Sequence, residues 1–390
     1  MLECKDIQVS LEDLYQAYVD CRRRKKSKKG AVSFEPYALH TLCCLRDEIN
    51  ERRYRLKPSQ CFVVKYPVPR EVFCASFRDR IVQHFVYNEL NPIIERIIIR
   101  DTASCRRNKG TDYAIRRCTR FVRRETENYT TDAVFGKFDL SGFFMSIDRQ
   151  RLLEKMLWVV DNLYTGPYKS VLKYLLPIII LTDVTVNAVR LSPKKDWDLI
   201  PANKTLFGND RGLPIGNITS QLFANFYLND LDHLIKSRHR SYERYVDDMV
   251  IVDRDSGRIE RTKELSIELL EEMGMKMNLR KSIISDVRFG IMFLGVKIMP
   301  HYNILGKKRI GRLYYTTSRK KNVEEMYASC ASRKGGFTRY HGRRIAARFY
   351  RDRVPDEWKD RLKMDSDATF HLVGGDVTDN TKLRNIRLYG

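Results

Sequence analysis

Cys-x-x-Cys pairs are missing from this sequence, although it holds nine cysteines, two of them adjacent at Cys43-Cys44. Their absence counts against both a zinc site and a disulfide framework, and implies a reducing compartment. Long apolar runs are missing too. The most apolar stretch, Leu175 to Leu181, is far short of the ~20 residues that cross a bilayer. Met1-Leu2-Glu3-Cys4 does not open like a secretory signal, so a soluble, cytoplasmic chain without a membrane partner is expected. No internal repeat stands out. Acidic charge is scarce beside basic: 49 Asp plus Glu against 72 Lys plus Arg leave a formal charge of +23. Such a field attracts polyanions, and the resulting affinity should fall steeply with salt. With 390 residues, 43% of them hydrophobic, the chain can bury one large core.

Against that basic background stand two adjacent carboxylates in Tyr245-Val246-Asp247-Asp248. Tyr242, Tyr245 and Val246 precede them and Met249, Val250, Ile251 and Val252 follow, so the segment reads as two short strands meeting at a tight turn. Side chains alternate faces along a strand, so consecutive Asp residues converge only where the chain bends. Like charges this close raise each other's pKa unless a cation neutralises them. Mg²⁺ suits carboxylate oxygens and keeps positions open for phosphates; the other reading is an acidic hairpin turn. Upstream, Ala133 to Asp139 reads as a buried strand ending in a carboxylate. After Leu140-Ser141-Gly142-Phe143-Phe144, Asp148 is a plausible cap for a helix carrying Leu152, Leu153, Met156, Leu157 and Val160. Alone, Asp139 is an ordinary strand-end residue. With the Asp-Asp hairpin it fits a site where carboxylates from separate strands hold two metal ions.

Phe138-Asp139 with Gly142-Phe143-Phe144, then Gly212-Leu213-Pro214-Ile215-Gly216-Asn217-Ile218-Thr219-Ser220-Gln221, then Tyr245-Val246-Asp247-Asp248, resemble the ordered palm motifs of reverse transcriptases. Gly274 to Ser282 resembles the next palm motif, whose lysine, here Lys281, approaches the triphosphate. Phe293-Leu294-Gly295-Val296 resembles the primer grip, and Lys65 through Arg70 to Gln83 the fingers motif of bacterial and group II intron enzymes. The resemblance implies an α+β, right-hand polymerase fold. Residues 1–59 would form an N-terminal basic arm and the start of the fingers, 60–130 the fingers, 131–300 the palm with an interleaved fingers segment around 161–211, and 301–390 a basic helical thumb. It also implies RNA-directed DNA polymerase activity with two Mg²⁺ ions, Mn²⁺ being a possible substitute. Asp139 and Asp247 would be the main ligands and Asp248 a weaker one. Lys65, Arg70 and Arg78 match the cations that meet the incoming triphosphate, or form a solvated basic face. Phe144 matches the steric gate that excludes a 2′ hydroxyl, or packs in the core as Phe143 does. Gly212 and Gly216 frame backbone that approaches the nascent base pair. Leu222, Phe223, Phe226, Leu231 and Leu234 have helical periodicity and anchor that backbone.

One departure narrows the resemblance. Most group II-like enzymes carry Gln-Gly, three variable residues and Ser-Pro where this chain has Ile215-Gly216 and Ser220-Gln221. That swap resembles the reverse transcriptases of diversity-generating retroelements. Asp196-Trp197 leading through Pro201 to Lys204-Thr205-Leu206-Phe207, and Arg106 through Lys109-Gly110-Thr111, agree with it. No Val-Thr-Gly of the retron kind comes after the primer grip, and fewer than a hundred residues lie beyond Gly295, too few for a maturase plus endonuclease. The narrower resemblance implies a bacterial, archaeal or phage enzyme that copies a template-repeat RNA, misincorporates opposite adenine, and works with a basic, oligomeric accessory variability protein. Retron-like and phage-defence enzymes are the alternatives, and a catalytically idle RNA-binding scaffold is one of another class. The run Arg22-Arg23-Arg24-Lys25-Lys26-Ser27-Lys28-Lys29 contacts RNA or a partner, or is a solubilising charge run. Lys307, Lys308, Arg309 and Arg312, with Tyr314 and Tyr315 interleaved, suit a thumb gripping an RNA–cDNA hybrid by its backbone.

Overall fold

The computed structural model describes residues 7–23, 27–65 and 68–373. Its centre is an antiparallel sheet of four strands rich in β-forming residues, among them the continuous apolar run Met249-Val250-Ile251-Val252. In chain order, the strands are β1 (Gln60–Val64), β2 (Arg70–Cys74), β3 (Val134–Phe138), β4 (Val189–Arg190), β5 (Tyr242–Tyr245), β6 (Asp248–Asp253), β7 (Ile283–Asp286), β8 (Ile291–Phe293), β9 (Val296–Ile298), β10 (Asn303–Leu305), β11 (Leu362–Met364) and β12 (Phe370–Leu372). The central sheet runs β5-β6-β3-β7. Phe138 pairs with Met249, so extending that register by one residue sets Asp139 opposite Asp248.

Both faces of this sheet are covered. Phe138, Met249 and Ile251 face one core with Leu222, Phe223, Leu231, Ile235 and Ile259 from the helices Ile218–Tyr227, Asn229–Arg238 and Ser256–Glu272. Phe135, Val250 and Val252 face a second core with Ile115, Cys118 and Phe121 of the helix Thr111–Glu125 and with Phe293, Val296 and Ile298 of the small sheet β10-β9-β8. The expected antiparallel sheet backed by helices is therefore backed on its second face by a helix and a second sheet. The apolar run expected as one helix from residue 222 to 234 is two, broken at Leu228. Asp148 does cap the helix Arg149–Asn162, accepting from the Arg151 amide at 3.0 Å.

Around this centre, β1 and β2 pair antiparallel, and β4 joins β1 in parallel. Beyond β10 lie the helices Lys307–Thr317, Val323–Ala331, Lys334–Arg339 and Arg343–Arg353, with a third core of Leu313, Met326, Phe349 and Phe370. The hairpin β11–β12 closes that core; it carried no signal in the sequence beyond its apolar ends.

Glu243 is an exception inside the second core. It is fully buried on β5 and neither carboxylate oxygen has a hydrogen-bond partner. Burial pushes its carboxyl up to about 9, Asp101 adds to the rise, and Arg117, Lys109 and Lys236 oppose it. The native chain thus keeps this proton to about pH 9, whereas the unfolded chain releases it near the usual 4.5. The stability it contributes is complete below pH 4.5 and is lost as pH rises through 9. Glu243→Gln should flatten the decline between pH 5 and 9 by at most about 1.4 kcal/mol per pH unit in urea titrations. Parallel declines for variant and wild type would refute this.

Candidate active site

The turn between β5 and β6 contains only Val246 and Asp247, because Tyr245 already pairs with Asp248. Val246 has φ 60°, a left-handed conformation that a β-branched side chain adopts only under strain. A buried arginine holds it there. Arg244 donates to the Val246 carbonyl at 3.0 Å and to the Asn225 carbonyl at 2.9 Å. Two of its guanidinium nitrogens also meet the Asp232 carboxylate, at 2.7 and 2.6 Å. Arg244 and Asp232 are both wholly buried. Asp232 also accepts from the hydroxyls of Tyr242 and Thr102, so its charge is fully solvated by protein.

The turn places Asp247 and Asp248 beside Asp139. Burial first, then Asp248 and Asp139, push the Asp247 carboxyl up to about 6, and Arg70 pulls it down. Asp248 is raised by burial and by Asp139, against Lys137 and Lys281. The three carboxylates therefore feel one another, and two lysines answer them. Lys281 lies 2.9 Å from Asp139 Oδ2, which also receives the Asn278 amide at 3.3 Å. Lys137 lies 3.4 Å from Asp248 Oδ1 and donates to the Met292 carbonyl at 2.9 Å. Among the described residues no three acidic, imidazole or thiolate groups close into a ready-made metal cage. The donor set at this edge is nonetheless carboxylate oxygen alone, which fits a hard cation such as Mg²⁺.

Other expected residues gather here in part. Arg70 is exposed and near enough to act on Asp247. Phe144 is half-buried against the cluster of Cys61, Phe73, Met145 and Leu206, as is Ile215, whereas Phe143 is buried in the first core. The Phe73 amide donates to the Ile215 carbonyl at 2.8 Å. Gly216 (φ 133°) sits so close to β2 that a Cβ would lie 2.5 Å from the Phe73 carbonyl oxygen, so glycine is required. Gln221 is exposed one turn into the helix Ile218–Tyr227. Leu294 (φ 50°) and Gly295 (φ 74°) form the two-residue turn between β8 and β9, and the Arg309 stem packs 3.2 Å from where a Gly295 Cβ would sit. Lys307 and Lys308 are exposed beside it.

Three expectations need correction or fall outside the described residues, and a fourth residue, Lys65, has a partner of its own. Arg78 is buried, its guanidinium bound to Glu48, Asp79 and the Arg55 carbonyl; it is a structural ion-pair residue and not a free cation. Phe293 points into the second core, fully buried. Of the N-terminal basic run, Arg22 pairs with Glu35 and Arg23 with Asp20, which neutralises part of the charge locally, while Arg24, Lys25 and Lys26 lie outside the described residues. Lys65 is ion-paired with Asp196 at 2.8 Å. Sequence reasoning missed Lys137, Arg244 and Asp232. The faces that Lys137 and Arg244 take depend on which strands pair, and Asp232, on the helix Asn229–Arg238, meets Arg244 only once that sheet is packed.

The central sheet with acids at one edge, the arginine-bearing hairpin beside it and the helical C-terminal region make up the right-hand polymerase fold. Residues 68–298 match the family described as reverse transcriptase (RNA-dependent DNA polymerase), and the chain belongs to that family. Over 129 residues it is 27% identical to the Retron Ec73 reverse transcriptase of Escherichia coli, a match spanning 30% of this chain and 41% of that protein. Among solved structures it is similar to telomerase from Candida albicans in complex with a fragment of telomeric RNA, with 13% identity, 77% of this chain and 60% of that one covered, and a TM-score of 0.46. It is similar also to apo telomerase from Candida tropicalis, with 11% identity, coverage of 72% and 52%, and a TM-score of 0.48.

Arg244→Met would strand the buried Asp232 charge and release the turn. It should cost about 3–5 kcal/mol in urea unfolding, and Arg244→Met with Asp232→Leu should regain most of that. Unchanged stability of the single variant would show that the pair does not hold the turn.

Proposed function

We propose that this chain is an RNA-directed DNA polymerase that copies a template-repeat RNA into error-bearing cDNA for targeted diversification of a gene. The observation that carries the polymerase reading is the convergence of Asp139, Asp247 and Asp248, with Arg70 and Lys281 beside them. Asp139 and Asp247 are the main holders of two Mg²⁺ ions, with Asp248 supporting. Bound there, such ions supply Lewis acidity at the attacking 3′ hydroxyl and at the leaving pyrophosphate. The protein's own groups do the positioning. Arg70 offers a planar fork to triphosphate oxygens, and Lys65 and Lys281 add point charges. Phe144 bears on C2′ of the sugar. Leu294-Gly295 supports the primer terminus, and Lys307, Lys308 and Arg309 meet the backbone of the hybrid. On this reading the fingers comprise residues 60–130 with the segment 161–211, the palm the rest of 131–300, and the thumb the chain from residue 301 onward. A cytoplasmic setting and a basic oligomeric accessory protein belong to the same proposal.

The diversity-generating assignment rests on Ile215 and Gln221. An isoleucine at 215 brings no amide to the nascent base pair, and a missing polar contact of this kind is worth about 1–3 kcal/mol of discrimination. A retron-like role is the second reading, favoured by the 129-residue match to the retron enzyme. A near-duplicate repeat pair beside the gene, differing at adenines, separates the two.

Primer extension on an RNA template with Mg²⁺ should proceed with wild type and fall to background with Asp247→Ala; no extension by wild type, with an accessory protein present, favours the idle scaffold instead. Ile215→Gln should lower errors opposite adenine in sequenced cDNA, and an unchanged error spectrum would sink the fidelity argument.

A further inference from the structure

The stretch from Asp196 to Phe207 stands out in the sequence, yet the proposed chemistry does not use it. Its contacts converge on the hairpin β1–β2. The Asp196 carboxylate, 6% exposed, binds the Lys65 ammonium at 2.8 Å. The Thr205 hydroxyl and Leu206 amide both donate to the buried carboxylate of Glu71 on β2, at 2.6 and 2.8 Å. The Phe207 ring packs 5.6 Å from that of Phe73. On the β1 side, Val63 N donates to the Ser192 hydroxyl at 2.9 Å and β4 extends β1 in parallel. Arg190 then locks the segment to itself, its guanidinium 4.1 Å from the Phe207 ring centre and 4.9 Å from that of Trp197. Each strand of the hairpin is thus clasped by the segment.

We propose that residues 182–211 form a brace that holds the β1–β2 hairpin ready for a nucleoside triphosphate, with Asp196 the positioning residue for Lys65. This rests on the nucleotidyl-transfer reading of the carboxylate site. A lysine ammonium sits on a flexible four-carbon stem, and ordering that stem when the ligand arrives weakens binding. Asp196 orders it beforehand. The acid is buried, while the lysine side chain remains 46% exposed, so donors of the ammonium stay free for phosphate oxygens. Glu71 ties the partner strand, which opens at Arg70, to the same segment.

The test is a double-mutant cycle on the full chain with Asp196→Asn, Lys65→Met and the pair together. Each single variant should raise the KM for deoxynucleoside triphosphate roughly tenfold with kcat nearly unchanged, and the double variant should be no worse than Lys65→Met alone. KM for primer–template should stay at its wild-type value in all variants and the urea midpoint should stay there in Asp196→Asn, whereas Lys65→Met, which strands the buried Asp196 carboxylate, should lower the midpoint. Asp196→Glu, which keeps the charge, should recover most of the loss in KM. Additive effects, an unchanged KM, or a KM that falls in Asp196→Asn because the acid restrains Lys65, each overturn the proposal. Equilibrium binding of deoxynucleoside triphosphate with Mg²⁺ repeats the cycle without turnover. A chain that binds with these ratios but does not extend keeps the brace and loses the polymerase reading. Binding indifferent to Asp196, or absent in wild type, overturns the brace.

Discussion

A single buried ion pair underlies the active edge of this molecule. Arg244 and Asp232 are both removed from water, and such a pair persists only when its hydrogen bonds are complete. Here they are: Asp232 receives two guanidinium nitrogens and two hydroxyls. What the pair secures is small, one carbonyl oxygen of Val246. That carbonyl belongs to a residue whose backbone would otherwise relax, and relaxation would turn Asp247 away from Asp139. The interior of the first core therefore sets the direction of a half-buried carboxylate.

The second constraint is electrostatic. Three carboxylates at one end of the sheet repel, and the rise of Asp247 to about 6 reflects burial first and this crowding second. Lys281 at Asp139 and Lys137 at Asp248 offset part of that repulsion. Lys137 does so while bound to the Met292 carbonyl, one residue from the Phe293 that ends β8. A cation thus ties the acidic edge to the strand that leads into the Leu294-Gly295 turn. Because the central sheet is packed on both faces, the strands that carry Lys137 and Asp248 cannot shift far without disturbing a core.

Much of this was legible in the sequence where the signal is local. The Tyr245-to-Asp248 hairpin is set by flanking β-formers and a two-residue turn, and the Asp148 cap by its place before an apolar period. The partnership of Asp139 with the hairpin came from motif order, and the register of β3 on β6 accounts for it. Non-local choices were not legible. Arg78 reads as a free cation until Glu48 and Asp79 are seen around it. Phe293 reads as a primer contact until the small sheet β10-β9-β8 turns it inward. Lys137 and Arg244 occupy strand positions whose face depends on which strands pair, and β3 lies more than a hundred residues from each strand it pairs with. The break at Leu228 is hidden because both flanking helices are apolar along the same period.

The central proposal is that the strained turn and β3 together hold the divalent cations. The most direct test is Mn²⁺ anomalous scattering from crystals of the full chain with an RNA–DNA primer–template and a non-hydrolysable deoxynucleotide. Two ions about 4 Å apart are expected, each touching Asp139 and Asp247. Ions bound without Asp139, or one ion held by Asp248 alone, would contradict it.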